Sequence, residues 1–313
     1  MKKILVIGHR GARVYAPENT IPSYQIALTQ GVDWIDVDIA VTKDKILLAF
    51  HDLFLNPDIL RLSNIKQKTI LVKDLTLEQL RQFNVVLEKN SDYGKQFPQQ
   101  EQFKDLKLST LQEVVDYVNK VSDNSINFQI EIKTDFENPN WSYSEKELAE
   151  LVYEFIIKNN LINRIKVQSF DWRVLTELNN LNSSIKTAYL YSENLRKNWK
   201  KWFSSTIITE IASQYENISI LQLIKKLGGY SYEPEDNCLT IEELQEAHNL
   251  GLKVMVWGYP KHSGFVFNYD LMRKLINWGV DGIITDDPLK LNNILKELSY
   301  STPKKINLHT LHQ

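Results

Sequence analysis

The stretch WIDVDIAV, residues 34–41, alternates apolar and acidic side chains without a break. Successive side chains of a β-strand point to opposite faces, so the isoleucines and the central valine share one face while Asp36 and Asp38 share the other. Carboxylates on a buried inner face are costly unless something offsets their charge. The pattern therefore predicts either a buried strand with an acidic inner face or an edge strand whose aspartates are solvated.

Strand-length apolar runs alternate with helical patterns along the chain of 313 residues. Besides residues 34–41, the strand candidates are Lys3–Gly8, Asn127–Ile132, Lys166–Ser169, Thr187–Tyr191, Tyr230–Glu233, Lys253–Trp257 and Gly282–Thr285. The helix candidates are Ile21–Gln30, Leu111–Val121, Glu145–Asn159, Trp172–Leu181, Ile241–Leu250, Tyr269–Trp278 and a last helix that starts at Pro288. Roughly eight strand–helix units predict an α/β fold, a (β/α)8 TIM-type barrel, with a doubly wound open sheet as the alternative.

Residues 53–106 are more than one connection between a strand and a helix needs, so they predict a small insertion after the second strand. They include a short helical pattern near Leu75–Phe83, with Thr76 as its N-cap. We expect a single barrel domain over residues 1–300 that includes this insertion, followed by a C-terminal tail at residues 301–313.

The composition limits the possible partners and locations. A net charge of −2 gives no field that would attract nucleic acid. No run of about 18 apolar residues is present, so no transmembrane segment is expected. The apolar run Ile4–Ile7 is shorter than the core of a signal peptide, so we expect a cytoplasmic protein, with export by another route left open. The single cysteine, Cys238, excludes an internal disulfide.

The stretch KNWKKWF, residues 197–203, mixes aromatic residues with lysines. It predicts an amphipathic surface helix. The alternative interpretation is a lid or a transient contact with a membrane surface.

The stretch NFQIEIKT, residues 127–134, repeats the alternation and adds Glu131 and Lys133 to a polar face. Three carboxylates on inner strands, Asp36, Asp38 and Glu131, would repel one another and raise each other's pKa values unless a cation lay between them. Oxygen ligands suit Mg²⁺ or Ca²⁺, and the charge of Lys133 suits an anionic substrate. The pattern predicts a site for one divalent cation, with a structural salt-bridge cluster as the alternative.

Two histidines, His9 and His51, each follow an apolar run of strand length. We expect both at the carboxyl end of an inner strand, which is the end of a barrel where active sites lie. Histidine is the usual acid or base at neutral pH, and Arg10 offers a planar fork of donors for a phosphate. The remaining histidines have no predicted role; they are His248, His262, His309 and His312.

Five motifs together resemble those of the glycerophosphodiester phosphodiesterase family. In chain order they are HRGARVYAPENT, IDVDIAVTKDKILLAFHD, IEIK, VQSFD and DGIITDDP, and they extend from residue 9 to residue 288. The resemblance implies a TIM-type barrel, a divalent cation, and hydrolysis of glycerophosphodiesters such as glycerophosphocholine or glycerophosphoethanolamine. The products of that reaction are sn-glycerol 3-phosphate and an alcohol.

The resemblance also implies a role for each matching residue. His9 and His51 correspond to the acid–base pair, and Arg10 and Lys133 to the residues that bind the substrate phosphate. The implied metal ligands are Asp36, Asp38 and Glu131. Glu18 and Asn19, in the PENT segment, and Trp257, in the seventh strand, have supporting roles.

The chain departs from the family pattern at two places. The family usually has glutamate where this chain has Asp36, which is shorter by one C–C bond, about 1.5 Å. This difference affects metal choice and affinity rather than the reaction class. After Trp257, where the family often has threonine, this chain continues with Gly258, Tyr259 and Pro260, so the alcohol specificity is left open.

Two other functions fit the same residues. A lysophospholipase D or sphingomyelinase D type enzyme would act on lipids with a similar barrel, histidine pair and metal position. A catalytically weak barrel would only bind a phosphodiester or a partner protein. The PENT segment and IEIK favour the glycerophosphodiesterase. The sequence does not predict the oligomeric state.

Overall fold

The computed structural model describes residues 3–61, 69–203, 206–215, 217–258 and 268–308. The strands are β1 (Leu5–Gly8), β2 (Trp34–Val41), β3 (Leu47–Ala49), β4 (Asn127–Ile132), β5 (Ile165–Ser169), β6 (Lys186–Tyr191), β7 (Ser231–Pro234), β8 (Lys253–Val256) and β9 (Gly282–Thr285). The helices are α1 (Ile21–Gln30), α2 (Leu77–Leu80), α3 (Leu111–Ser122), α4 (Glu145–Lys158), α5 (Trp172–Leu181), α6 (Glu193–Trp202), α7 (Ile207–Ser213), α8 (Ile220–Lys226), α9 (Ile241–Asn249), α10 (Tyr269–Trp278) and α11 (Pro288–Glu297).

The strands form one sheet in the order β1-β9-β8-β7-β6-β5-β4-β2-β3, and β1 also pairs with β2. Because β1 pairs with both β2 and β9, the eight strands other than β3 have the order of a (β/α)8 barrel. This confirms the predicted fold class, and the doubly wound open sheet is wrong. The predicted strands and long helices agree with the observed bounds to within about two residues at either end.

The chain groups into two compact units. The amino-terminal unit comprises residues 6–143, 285–293 and 302–313, and the carboxy-terminal unit comprises residues 1–5, 144–284 and 294–301. Strands β2, β3 and β4 and the insertion lie in the amino-terminal unit, and β5–β8 lie in the carboxy-terminal unit. The predicted boundaries of a single domain and its tail stay predictions.

The parallel pairing of β2 with β4 aligns the two alternating stretches. Asp36 is opposite Gln129, and Asp38 is opposite Glu131. All eight residues of β2 are buried, as befits a strand covered on both faces. The acidic face therefore points into the interior, and the exposed edge strand considered above is wrong.

The position of β3 corrects one expectation about His51. We expected His51 at the carboxyl end of an inner strand, but β3 runs antiparallel to β2, with Ala49 opposite Ile39. The chain turns back after β2, and the amide of Phe50 donates a hydrogen bond to the carbonyl of Asp38 over 3.0 Å. An antiparallel strand beside the last residues of β2 thus returns His51 to the neighbourhood of the acidic pair.

The insertion has its own helix and apolar cluster. The helix α2 is shorter than predicted, and a separate 3₁₀ turn, Val72–Asp74, precedes it. Thr76 is its N-cap, as predicted. It also forms a reciprocal capping box with Gln79. Insertion residues such as Leu60, Leu80 and Val85 pack in one apolar cluster. This cluster also contains Leu48 of β3 and Phe50, which directly follows β3.

The KNWKKWF stretch spans the end of α6. Lys197, Lys200 and Lys201 are exposed, whereas Trp199 and Trp202 are half-buried and Phe203 is fully buried. This pattern supports an amphipathic surface helix. Contact with a membrane surface stays a prediction, and none of the described helices has the length and hydropathy needed to cross a bilayer.

Ile130→Ala should destabilise the protein by about 2–5 kcal/mol, because it opens a cavity beneath the strand that carries Glu131. Ile130 is fully buried, whereas Ile157 on α4 is 41% exposed and serves as the matched control. Ile157→Ala should cost less than about 1 kcal/mol. Urea unfolding of both variants measures the difference, and equal costs would contradict the described packing of β4.

Candidate active site

Residues 8–20, the end of β1 and the loop after it, are held in one conformation by hydrogen bonds to their backbone groups. Gly11 has φ of +94°, a conformation that other residues rarely adopt. The Ser23 hydroxyl donates to the Arg10 carbonyl over 3.0 Å and accepts from the Ala12 amide over 2.9 Å. The amide of Asn19 donates to the same Arg10 carbonyl over 3.0 Å. The start of α1 and the PENT segment thus fix the direction of Arg10.

The carboxylate of Asp38 is surrounded by donors from three residues, Arg10, Asn19 and Lys133. Its Oδ2 lies 2.9 Å from Arg10 Nε and accepts from Asn19 Nδ2 over 2.9 Å. Its Oδ1 lies 3.2 Å from Lys133 Nζ, and the same ammonium contacts Glu131. Two positions earlier on the same two strands, Gln129 Nε2 donates to Asp36 Oδ1 over 3.2 Å.

Burial and mutual repulsion set the charges of the three carboxylates. Burial and then the neighbouring Asp38 raise the pKa of Asp36 well above its usual value. Burial also raises the pKa of Glu131 to about 7, although Lys133 opposes the shift. For Asp38, Arg10 and Lys133 outweigh burial and hold the pKa well below its usual value. The cluster therefore has one firmly ionised carboxylate and two that favour a proton unless further positive charge is present.

Among the residues that the structure describes, no group of three or more histidine, cysteine, aspartate or glutamate side chains is arranged so that it could hold a metal ion. Arg10 and Lys133 provide the positive charge next to Asp38 in this arrangement. The chemistry of the donors still fits a hard cation, because all three side chains are buried oxygen ligands and two of them have raised pKa values.

His9 is held by a carboxylate from the opposite end of the chain. Its Nδ1 lies 2.6 Å from Asp286 Oδ1. Arg13 donates to both oxygens of Asp286, from Nη2 over 3.0 Å and from Nε. Burial, followed by the charge of Arg13, lowers the pKa of His9 to about 4. Asp286 is ionised because Arg13 and His9 outweigh its burial and lower its pKa, so Nδ1 of the neutral ring donates and Nε2 keeps its lone pair.

His51 has a similar but separate partner. Its Nδ1 lies 2.7 Å from Asp52 Oδ1, and Asn56 Nδ2 donates to the other oxygen of Asp52 over 2.7 Å. Burial lowers the pKa of His51, and the charges of Arg10 and Lys133 add to the shift. Both histidines thus have Nδ1 engaged by an aspartate and Nε2 available for proton transfer.

A family comparison decides the class of the chain. The model described as "Glycerophosphoryl diester phosphodiesterase family" matches residues 9–290. YhdW of Bacillus subtilis (strain 168) is 30% identical over 286 residues, which cover 90% of this chain and 94% of that protein. The chain belongs to the glycerophosphoryl diester phosphodiesterase family. The predicted enzyme class, a phosphoric diester hydrolase, is confirmed.

Solved structures similar to this phosphodiesterase family member support its fold. One, from Silicibacter pomeroyi DSS-3, has a TM-score of 0.82 and 25% identity, and the match covers 96% of this chain and 95% of that one. Another is an Oleispira antarctica phosphodiesterase in complex with the product sn-glycerol-3-phosphate. Its TM-score is 0.66 at 20% identity, with 93% of this chain and 96% of that one covered.

The amino-terminal unit of this phosphodiesterase family member contains all the predicted site residues except Trp257. Trp257 directly follows β8 in the carboxy-terminal unit, where its Nε1 donates to the Glu233 carbonyl over 3.0 Å and its ring meets Phe170 edge-on at 5.5 Å. Tyr259, Pro260 and three of the histidines without a predicted role, His262, His309 and His312, lie outside the described residues.

The partners of the two histidines, Asp286 and Asp52, were not among the predicted site residues. Asp52 is the second residue of the HD pair, and Asp286 is the first aspartate of TDDP, so both were inside quoted motifs. The residues around these two aspartates do not indicate which aspartate binds which histidine ring. Arg13 and Tyr93 were also missed, since Arg13 meets Asp286 from far along the chain and the contact of Tyr93 with Glu18 depends on the fold of the insertion.

The low pKa of His9 predicts a distinctive titration. The ring should titrate near pH 4 instead of its usual 6.5, and should be neutral at pH 6. Because the unfolded chain takes up this proton at a higher pH than the folded chain, the protein should lose stability as the pH falls from 6.5 towards 4. Histidine NMR spectra, assigned with His9→Gln, measure this directly. A midpoint near 6.5 for His9 would contradict the described surroundings of its ring.

Proposed function

We propose that the protein hydrolyses glycerophosphodiesters, such as glycerophosphocholine or glycerophosphoethanolamine, to sn-glycerol 3-phosphate and an alcohol. One observation carries the proposal: two histidines with aspartate-bound Nδ1 atoms occur in the same unit as Arg10, Lys133 and three buried carboxylates. Family membership and the product named for the Oleispira antarctica structure support the same substrate class.

His9 and His51 act as the acid–base pair in this proposal. One Nε2 takes a proton from the nucleophile as the new P–O bond forms. The other histidine enters the reaction protonated on both ring nitrogens, a form that the negative charge of the bound phosphodiester favours, and gives its Nε2 proton to the departing alcohol oxygen as the old P–O bond breaks. Asp286 and Asp52 orient the two rings through their Nδ1 atoms. The nucleophile is water, or a glycerol hydroxyl that forms a cyclic phosphate which water then opens.

Arg10 and Lys133 bind the substrate phosphate. Both are cations that touch Asp38, so both are fixed in place before the substrate arrives. Preorganised charge of this kind stabilises the negative charge that develops on the phosphoryl oxygens. Glu18 and Asn19 support the site, because Glu18 accepts a hydrogen bond from Arg10 and Asn19 donates one to Asp38. The supporting role of Trp257, which lies in the carboxy-terminal unit, stays a prediction.

Asp36, Asp38 and Glu131 bind one divalent cation, Mg²⁺ or Ca²⁺. The burial of three neighbouring carboxylates supports this assignment, because burial and mutual repulsion raise the pKa values of Asp36 and Glu131, and a bound cation would favour their ionised forms. When bound, the cation draws negative charge from a non-bridging phosphate oxygen. The shorter Asp36 side chain, in place of the family's usual glutamate, bears on which cation is preferred.

His9→Ala and His51→Ala should each lower turnover of glycerophosphocholine by at least about a hundredfold, because each removes a general acid or base. His248→Ala is the matched control, since His248 lies on α9 and contacts Asp281 instead. It should keep activity close to that of the unaltered protein. Near-normal turnover by folded His51→Ala protein would refute the proposed pair.

Removal of metal should abolish activity, and Mg²⁺ or Ca²⁺ should restore it, because the cation would stabilise the negative charge that develops on the phosphate in the transition state. The assay uses glycerophosphocholine, glycerophosphoethanolamine and lysophosphatidylcholine, first with EDTA and then with each ion. Glu131→Gln should respond weakly to the restored ions. Activity that survives EDTA would contradict the metal site, and preference for lysophosphatidylcholine would favour a lipid phosphodiesterase.

A further inference from the structure

The insertion touches the loop after β1 at the residue that holds Arg10. Tyr93, next to the 3₁₀ turn Gly94–Gln96, donates its hydroxyl hydrogen to Glu18 Oε2. The other oxygen of Glu18, Oε1, accepts from Arg10 Nη1 over 2.7 Å. One carboxylate thus joins the insertion to the arginine proposed to bind phosphate.

Further contacts secure the same edge of the insertion. Gln100 Nε2 donates to the Arg13 carbonyl over 2.7 Å, and the Arg13 guanidinium lies 5.0 Å from the centre of the Phe97 ring. Phe97 in turn packs against Tyr93, with 5.2 Å between ring centres. The position of the Tyr93 ring is therefore fixed by packing, independently of its hydroxyl.

We propose that Tyr93 is a positioning residue for phosphate binding, acting through Glu18 on Arg10. This inference rests on the proposed function, because it gives Arg10 the phosphate as its ligand. The ionised Glu18 carboxylate only accepts hydrogen bonds, and the Tyr93 hydroxyl donates one to it. Fixing the Glu18 carboxylate fixes the direction in which it holds the Arg10 guanidinium.

The charges around Glu18 make this contact more than packing. Arg10 and Arg13 come from the same loop, His51 follows β3, and Tyr93 comes from the insertion. The two arginines outweigh the burial of Glu18 and lower its pKa, and the Tyr93 hydrogen bond adds to that shift. Burial and the charge of Glu18 raise the pKa of Tyr93 well above its usual value, so its hydroxyl stays a donor at every working pH.

Glu18 also connects Tyr93 to His9. Arg13 Nη1 lies 3.4 Å from Glu18 Oε2, and the rest of that guanidinium binds Asp286, which holds the His9 ring. Loss of the Tyr93 hydroxyl lets Glu18 turn towards one arginine at the expense of the other. The insertion thereby bears on substrate binding without supplying a catalytic residue.

Tyr93→Phe tests the inference because it removes the hydroxyl and keeps the ring packing. We expect kcat/KM for the best glycerophosphodiester to fall about tenfold, with KM raised at least about threefold, because the phosphate contact is formed before the chemical step. Tyr143→Phe is the matched control: its hydroxyl bonds the Thr42 carbonyl over 3.2 Å in the same unit. It should leave both constants within about twofold of their normal values, and thermal unfolding should show both variants folded.

A double-mutant cycle with Glu18→Gln shows whether Tyr93 acts through Glu18. In the Glu18→Gln background, Tyr93→Phe should change kcat/KM less than about twofold. An unchanged KM in Tyr93→Phe, or a full loss that persists in the Glu18→Gln background, would overturn the inference while the proposed function stands.

Phosphate binding separates the inference from the proposed function. Calorimetry with inorganic phosphate should show weaker binding to Tyr93→Phe than to the unaltered protein and Tyr143→Phe. If the unaltered protein hydrolyses no glycerophosphodiester, the proposed function fails, and this binding comparison decides the role of Tyr93. Equal phosphate affinities in the three proteins would overturn that role.

Discussion

The balance of charge around Asp38 is the constraint on which the candidate site depends. A carboxylate with no exposed surface cannot stay ionised without compensating charge, and Arg10 and Lys133 provide it. Arg10 belongs to the loop after β1, Asp38 to β2, and Lys133 directly follows β4. A single buried charge therefore ties the first loop to two adjacent strands and holds two cations next to it.

Local patterns were enough to predict most of the scaffold. The alternation in WIDVDIAV and NFQIEI gave β2 and β4 with their observed bounds, because a two-residue period directly reports which side chains share a face. The same alternation brought Asp38 and Glu131 together correctly. The expectation that His51 ends an inner strand was wrong, because a three-residue strand has the same sequence pattern whether it pairs parallel or antiparallel.

The partners of the site residues could not be predicted in the same way. The His9–Asp286 contact spans 277 residues, and the Tyr93–Glu18 contact spans 75. No period in the sequence encodes such pairs, since they arise only when strands and insertion pack. The resemblance to a family supplied residue roles from matching motifs, but it carried no information on Tyr93, whose segment lies outside those motifs.

The span of the His9–Asp286 contact has a consequence for the order in which the site assembles. The imidazole directly follows β1 and the carboxylate directly follows β9, so 277 positions of the chain separate the two partners. Closing so long a loop costs conformational entropy, and β1 and β9 are neighbours in the sheet. His9 therefore gains its partner only when these two strands pair, and the orientation of its ring reports the closure of the sheet rather than the folding of one segment.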